Sequence, residues 1–307
     1  MQERTFELAG GSLHYEVKDG KAWINGYAGT DSEVVIPGEL DGCPVIVLGK
    51  KAFLSRKQLR KITLPDTLEE IGDWVFAYCS NLREVSLPDK RLVFGKTIFQ
   101  ECTTLERIAI RRKESDTTVV GQGNTDQGTA ELLAAAVTAM DSYYLLDTEA
   151  AGSKEWLRKW DARLLALMHA SDTDGYSKQV LCGEEDYGST DLNNFIREKR
   201  KGKVRLALLR LLYPMEISAD LRKESEQYLL SHTAGSESDE TWQVIWKEHG
   251  DDRAYYSLFQ ELGCVNNGNL DKILSDVGNN YPEMKAFFLS GSNTAGKAEA
   301  FFDDLDL

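Results

Sequence analysis

Three blocks of this chain repeat at a strict spacing of 23 residues, and no other feature limits the fold so tightly. Phe53, Phe76 and Phe99 share one column; Leu59, Leu82 and Leu105 share the next. Ile62, Val85 and Ile108 follow, then Leu64, Leu87 and Ile110. Leu48-Gly49, Ile71-Gly72 and Phe94-Gly95 hold the same register upstream, and Pro65 and Pro88 close two blocks. Within a block, Ile62 and Leu64 alternate with Lys61 and Thr63, which is the period of a strand with one buried face. A unit this short has no partner layer of its own. Stacked copies bury each other's apolar faces, which gives a solenoid with a parallel sheet. The glycine column is expected to serve a tight turn.

Two further stretches extend the stack. Glu33-Val34-Val35-Ile36-Pro37 reads as an earlier strand of it. Leu13–Val17 and Ala22–Tyr27 flank Lys18-Asp19-Gly20-Lys21, the pattern of a hairpin. That hairpin is placed to cap the exposed end of the solenoid. On the strand face, Lys61, Glu84 and Arg107 fall in one outward row, beside Thr63, Ser86 and Ala109.

The run from Tyr15 to Ile110 closely resembles the BspA-like leucine-rich repeats of bacteria. The resemblance rests on Val17-x-Asp19-Gly20, Ile24-x-Gly26-Tyr27, Val35-Ile36-Pro37, Gly42-x-Pro44-Val45 and the block from Ile71-Gly72 to Leu87-Pro88. It implies a small leucine-rich-repeat solenoid used for protein recognition, and in many members an exported surface protein.

Beyond residue 118 the chain changes character. Of 36 basic and 50 acidic residues, 17 and 18 lie in the first 118, so almost all of the net charge of −14 falls in the remainder. Such acidity repels phosphate backbones and anionic membranes, so neither nucleic acid nor membrane is the expected partner. After the polar stretch Gly121–Gly128 the apolar period becomes helical. Helices are expected over about 129–147, 153–169 with Ser153 as N-cap, 203–212 ended by Tyr213-Pro214, and from Ser218 to about Leu230. The last part reads as a loose helical repeat weakly resembling ankyrin-like or other α-solenoid units. Val244-Ile245 and Ile273-Leu274 lie 29 apart, as do Leu258-Phe259 and Phe287-Phe288. The organisation expected is therefore α+β in two domains. Residues 1–118 form the capped repeat domain, 119–128 a linker, 129–292 an all-α domain and 293–307 an acidic tail.

Motifs of chemistry are sparse. Gly95-Lys96-Thr97 has Lys90 where a phosphate loop needs its first glycine. Asp172-Thr-Asp174-Gly175 would put Ala170 and Leu181 at calcium-loop positions that need carboxylates, so it reads as a turn. Glu184, Glu185 and Asp186 read as a solvated loop, and His14, His169, His232 and His249 show no metal spacing. The basic run Arg197, Lys199, Arg200, Lys201, Lys203, Arg205 and Arg210 reads as a solvated helix face, with a grip on phosphate or an acidic partner, or docking against the acid-rich remainder, as the alternatives. No cofactor or metal and no catalytic role is expected; an exported host-binding protein is the alternative reading, and an enzyme or nucleotide-dependent switch in the helical domain a further one. Five cysteines without Cys-x-x-Cys spacing suggest reduced thiols, and the first residues hold no apolar leader, so the expected compartment is cytoplasmic.

Two surfaces remain as candidates for a protein partner. One is the strand face, with Arg60, Lys61, Thr63, Arg83, Glu84, Ser86, Glu106 and Arg107. The other is the tail, where Phe301, Phe302, Asp303, Asp304 and Asp306 form an aromatic and acidic segment suited to a basic groove.

Overall fold

The computed structural model describes residues 3–112, 126–176, 191–233, 238–250, 252–278 and 280–290. The chain divides into two compact units, Met1–Arg163 and Leu164–Leu307.

The first unit is a capped solenoid. Strands β1 (Arg4–Leu8), β2 (Gly11–Lys18) and β3 (Lys21–Gly29) form an antiparallel meander, so the expected hairpin carries an extra outer strand. Its turn residues Asp19 (φ 51°) and Gly20 (φ 73°) are both left-handed, as a two-residue hairpin between twisted strands requires. The cap is continuous with the solenoid: β3 pairs in parallel with β6 (Cys43–Leu48), β6 with β8 (Glu70–Ile71), and β8 with β10 (Val93–Phe94). The short strand β5 (Glu39–Leu40) folds back on β6. A second parallel sheet runs β4 (Glu33–Val35), β7 (Lys61–Thr63), β9 (Glu84–Pro88) and β11 (Arg107–Arg111).

The apolar columns fill the space between. Tyr27, Phe53, Phe76 and Phe99 are buried and stack with ring centroids 5.1, 5.7 and 5.5 Å apart. Contacts of this kind contribute about 0.5–1.5 kcal/mol each beyond the area they bury. Between the sheets, the main chain of each repeat bonds the next. The N–H groups of Lys51, Phe53 and Ser55 donate to Asp73, Val75 and Ala77, and those of Trp74, Phe76 and Tyr78 donate to Lys96, Ile98 and Gln100. Lys51, Trp74 and Thr97 are left-handed, and so are Ser55, Tyr78 and Glu101. This costs about 1–2 kcal/mol per residue, a cost the inter-repeat bonds offset.

The glycine column serves a purpose other than the expected turn. Gly49, Gly72 and Gly95 do not take left-handed φ. A Cβ on Gly95 would stand 2.5 Å from Asp73 N and from Gly72 C, and one on Gly72 would stand 2.9 Å from Lys50 N. Only a residue without a side chain lets successive repeats come this close.

The far end of the stack is covered within the same unit. Helix α1 (Gln127–Thr138), N-capped by Asp126, packs on β11. A 3-10 turn (Tyr143–Leu145) follows, and Tyr143 Oη accepts from Phe99 N at 3.4 Å at the end of the aromatic column. In α2 (Lys154–His169), capped by Ser153, the buried Trp156 and Trp160 donate to Leu145 O and Leu132 O. The unit boundary at 163/164 therefore lies beyond the linker expected at 119–128, because the apolar end of a solenoid needs a lid and α1 supplies it. Helix α1 also stops at Thr138, short of the expected 147.

The second unit is helical: α3 (Leu192–Leu212), α4 (Ala219–Ser231), α5 (Glu240–Glu248), α6 (Arg253–Glu261), α7 (Leu270–Val277) and α8 (282–290). Helix α3 starts about three turns before the expected 203, capped by Asp191. The spacing of 29 marks two helix pairs, α5–α6 and α7–α8, with Val244, Phe259, Ile273 and Phe288 all in one core. Trp242 centres that core against Tyr256, Phe259 and Phe288, and donates from Nε1 to Asp276 at 2.7 Å.

Candidate protein-docking face

Parallel pairing without a slip decides which side chains share a row. Glu33, Lys61, Glu84 and Arg107 are register partners across β4, β7, β9 and β11. Neighbouring strands lie about 4.8 Å apart, so the row is a line of alternating charge. Lys61 Nζ and Glu84 Oε1 are 2.9 Å apart. Val35, Thr63, Ser86 and Ala109 form the adjacent row. One residue before the strands, Arg60, Arg83 and Glu106 are exposed and joined through the main chain, Arg83 N to Arg60 O and Glu106 N to Arg83 O. Arg83 and Glu106 also pair at 3.2 Å. Exposed pairs of this kind contribute about 0–1 kcal/mol to stability, so the charge pattern is not what holds the solenoid together.

Seven of the eight residues named from sequence on this face are at least half-buried to exposed; Ser86 is not, with 7% of its surface open. Arg111 covers it. Its guanidinium donates to Ser86 O and Oγ at 3.3 and 3.4 Å, to Leu64 O at 2.6 Å and to Asp66 Oδ1 at 2.7 Å. The sequence carried one signal for Arg111: it stands in the column of Pro65 and Pro88, where the repeat breaks. Val35, 66% exposed, opens the second row and was likewise not singled out.

The tail residues Phe301, Phe302, Asp303, Asp304 and Asp306 lie outside the described residues, as do Glu184, Glu185 and Asp186. Asp172–Gly175 is a turn, as expected. The basic run is a solvated face only at its start, where Arg197 and Lys199 are exposed; most of the later cations turn inward. Lys203 and Arg210 are buried. Lys203 Nζ donates to Ala170 O at 2.6 Å and to Asp172 at 2.7 Å, and Arg200 meets the other Asp172 oxygen at 2.8 Å. Arg205 grips Glu248 through two bonds of 2.6 and 2.7 Å. Arg210 turns back onto the Met215 carbonyl at 2.8 Å. The helix spends these cations on its own unit, because long side chains near the core can reach main-chain oxygens that need donors. His169 pairs with Glu224 at 2.8 Å, while His232 and His249 stack on Tyr228 and Tyr255. Among the described residues, no three His, Cys, Asp or Glu side chains gather to hold a metal, and no helix is long and apolar enough to cross a membrane.

Residues 39–122 match, in six copies, the family model of the BspA type leucine rich repeat region. No curated protein matches the chain. Among solved structures, the T. pallidum leucine rich repeat protein is 26% identical with a TM-score of 0.26, over 31% of this chain and 46% of that one. A leucine-rich repeat protein from Bacteroides ovatus is 25% identical with a TM-score of 0.30, over 34% and 28%. A leucine rich cell surface protein from Faecalibacterium prausnitzii is 22% identical with a TM-score of 0.29, over 34% and 30%. The chain thus spans less than half the length of each of these proteins.

Proposed function

We propose that the chain is a non-catalytic protein-binding module that docks a polypeptide of mixed charge on the β4-β7-β9-β11 face. The observation that carries this is the in-register row Glu33, Lys61, Glu84 and Arg107. Repeats of the BspA type serve in general as protein-interaction modules. A row of alternating sign is poorly suited to an apolar ligand and repels a uniformly charged one, whereas a partner with the opposite alternation gains selectivity and fixed register. The weak contribution of these pairs to stability leaves them free for recognition. We infer a cytoplasmic scaffold or adaptor: the four described cysteines, Cys43, Cys79, Cys102 and Cys264, all carry free thiols, which suits a reducing compartment.

The test is capture of partners from the native host's lysate with the intact chain, and with Lys61→Glu and Arg107→Glu combined. Loss of a partner in the double reversal, with circular dichroism unchanged, supports the assignment. A partner set identical in both overturns it.

A further inference from the structure

The sheet that carries the docking face has a free edge at the cap end. Its other end lies under α1, which packs on β11. Strand β4 pairs with β7 alone among the described residues. The main-chain bonds show which groups of β4 are spent on β7. Ser32 O accepts from Arg60 N and Lys61 N at 2.7 and 3.0 Å, and Ile36 N donates to Thr63 O at 2.9 Å. Peptide groups alternate in direction along a strand, so those of Val34 also turn toward β7. The N–H and C=O groups of Glu33 and Val35 therefore point off the sheet, where no described residue meets them. An edge of this kind is where another chain can add a strand.

The side chains at the same two positions select that strand. Val34 and Ile36 turn into the core, 3% and 2% exposed, so Glu33 and Val35 stand on the outward face. Lys61 turns to Glu84, which leaves Glu33 without an ion pair among the described residues. Beside it, Val35 is the one large apolar side chain in either outward row, and it is open to solvent. A strand added in the sheet's own parallel sense carries both rows one step further. It needs a cation opposite Glu33 and, two residues on, a β-branched side chain opposite Val35. A second copy does not supply them. Parallel pairing in register sets Glu33 against Glu33, and antiparallel pairing about Val34 sets Glu33 against Val35.

We propose that β4 is the edge to which a partner protein adds a parallel strand, with Lys or Arg, any residue, then Val or Ile. The site shares its sheet with the docking face and rests on the reading of the chain as a protein-binding module.

The probe is the peptide acetyl-Thr-Lys-Thr-Val-Thr-amide, titrated into the full chain and followed in ¹⁵N–¹H spectra. A saturable, millimolar response centred on the Glu33 and Val35 amides is expected, with slower hydrogen exchange at both. Val35→Pro removes the outward N–H and keeps the bonds to β7, a position where an edge strand tolerates proline. It weakens binding about tenfold. Glu33→Lys weakens binding about threefold, and the same peptide with Glu in place of Lys then binds that variant more tightly than the unmodified chain. A merely structural effect of the substitution would not swap the preference. The proposal is overturned by no saturable response at Glu33 and Val35, by equal affinity in Val35→Pro, or by tighter binding of the reversed sequence acetyl-Thr-Val-Thr-Lys-Thr-amide. A dimer that Val35→Pro dissociates gives the edge to a second copy and overturns it too. A response centred on Lys61, Glu84 and Arg107 with none at β4 overturns the edge site and leaves the face standing. Binding at β4, with a partner set indifferent to the Lys61 and Arg107 reversal, supports the edge site and discards the face.

Discussion

The Cys79 thiol lies 3.1 Å from the Phe53 carbonyl, one repeat back along the stack, and donates to it. Cys102 does the same to Phe76 at 3.0 Å. Both thiols are buried, and burial pushes their pKa up, to about 11 for Cys79 and about 12 for Cys102, where the neighbouring Cys79 adds to the effect. The thiolate is the nucleophile. Both residues are therefore expected to resist iodoacetamide in the native protein at pH 8, while the half-exposed Cys43 reacts. Peptide mass spectrometry after timed labelling reads the order. The same shifts fix a direction with pH. A folded-state pKa above the ordinary 9.0 stabilises the fold fully below that value, and the stabilisation is lost as pH rises through 9 toward 11 and 12. Urea midpoints of the full chain should fall between pH 9 and 11, and a flat profile there would count against the burial.

Gly95→Ala should break the stacking of the last repeats. Its new Cβ would meet main-chain atoms of Asp73 and Gly72 at 2.5 Å, and main chain cannot swing aside as a flexible side chain can. Overpacking of this kind costs about 1–3 kcal/mol. Gly20→Ala is the contrast. Nothing lies within 4 Å of its Cβ position, and its cost comes from φ 73° alone, about 1 kcal/mol. Thermal unfolding of the two variants should rank Gly95→Ala as the less stable.

In the helical unit, Asp172 receives Lys203 and Arg200 on its two oxygens. Burial works to raise its pKa, but the bonds and charges of Lys203 and Arg200 outweigh it and hold the carboxyl below the ordinary 3.8. A depressed carboxylate stabilises the fold above its unfolded pKa, and that contribution disappears as pH falls below about 4. Asp172→Asn leaves the buried Lys203 without its anion and should cost about 2–3 kcal/mol near neutrality, less than a fully buried pair because Asp172 is partly open. The variant should also lose part of the acid sensitivity. Urea denaturation of both proteins at pH 7 and pH 3 measures each claim.

Much of this fold was legible because a repeat states each packing rule three times. The columns of Phe53, Leu59, Ile62 and Leu64 name the core, and the 23-residue register alone puts Lys61, Glu84 and Arg107 in one row. What stayed hidden depends on single copies. Strand β1 pairs only once, and its Arg4–Leu8 has no repeated counterpart to flag it. Helix α1 reads as amphipathic, but nothing in its spacing says that its apolar face belongs to β11. The basic run around Lys203 has the composition of a solvated face. Only the fold shows that Ala170 and Asp172 come within reach of it. Arg111 was visible only as a departure from its column, where the repeat has Pro.

Arg111 yields the last prediction. Its guanidinium spans two earlier repeats, meeting Leu64 O and Asp66 in one and Ser86 in the next. Ser86 O already accepts from Leu64 N at 2.9 Å, and Arg111 adds a second donor to that oxygen. Arg111→Leu keeps an apolar stem over Ser86 but removes every donor. Leu64 O then loses a charged donor in a part-buried setting. Hydrogen bonds to charged groups contribute about 1.5–3 kcal/mol, and the partly exposed Asp66 contact adds little. Hydrogen exchange at the Leu64 amide should quicken about tenfold or more, because the pairing of β7 with β9 loosens where the clamp was. The Cys79 and Cys102 amides, on another side of the repeat, should exchange as before. Equal acceleration at all three sites would mean that the substitution destabilises the whole unit, and that Arg111 is no local clamp.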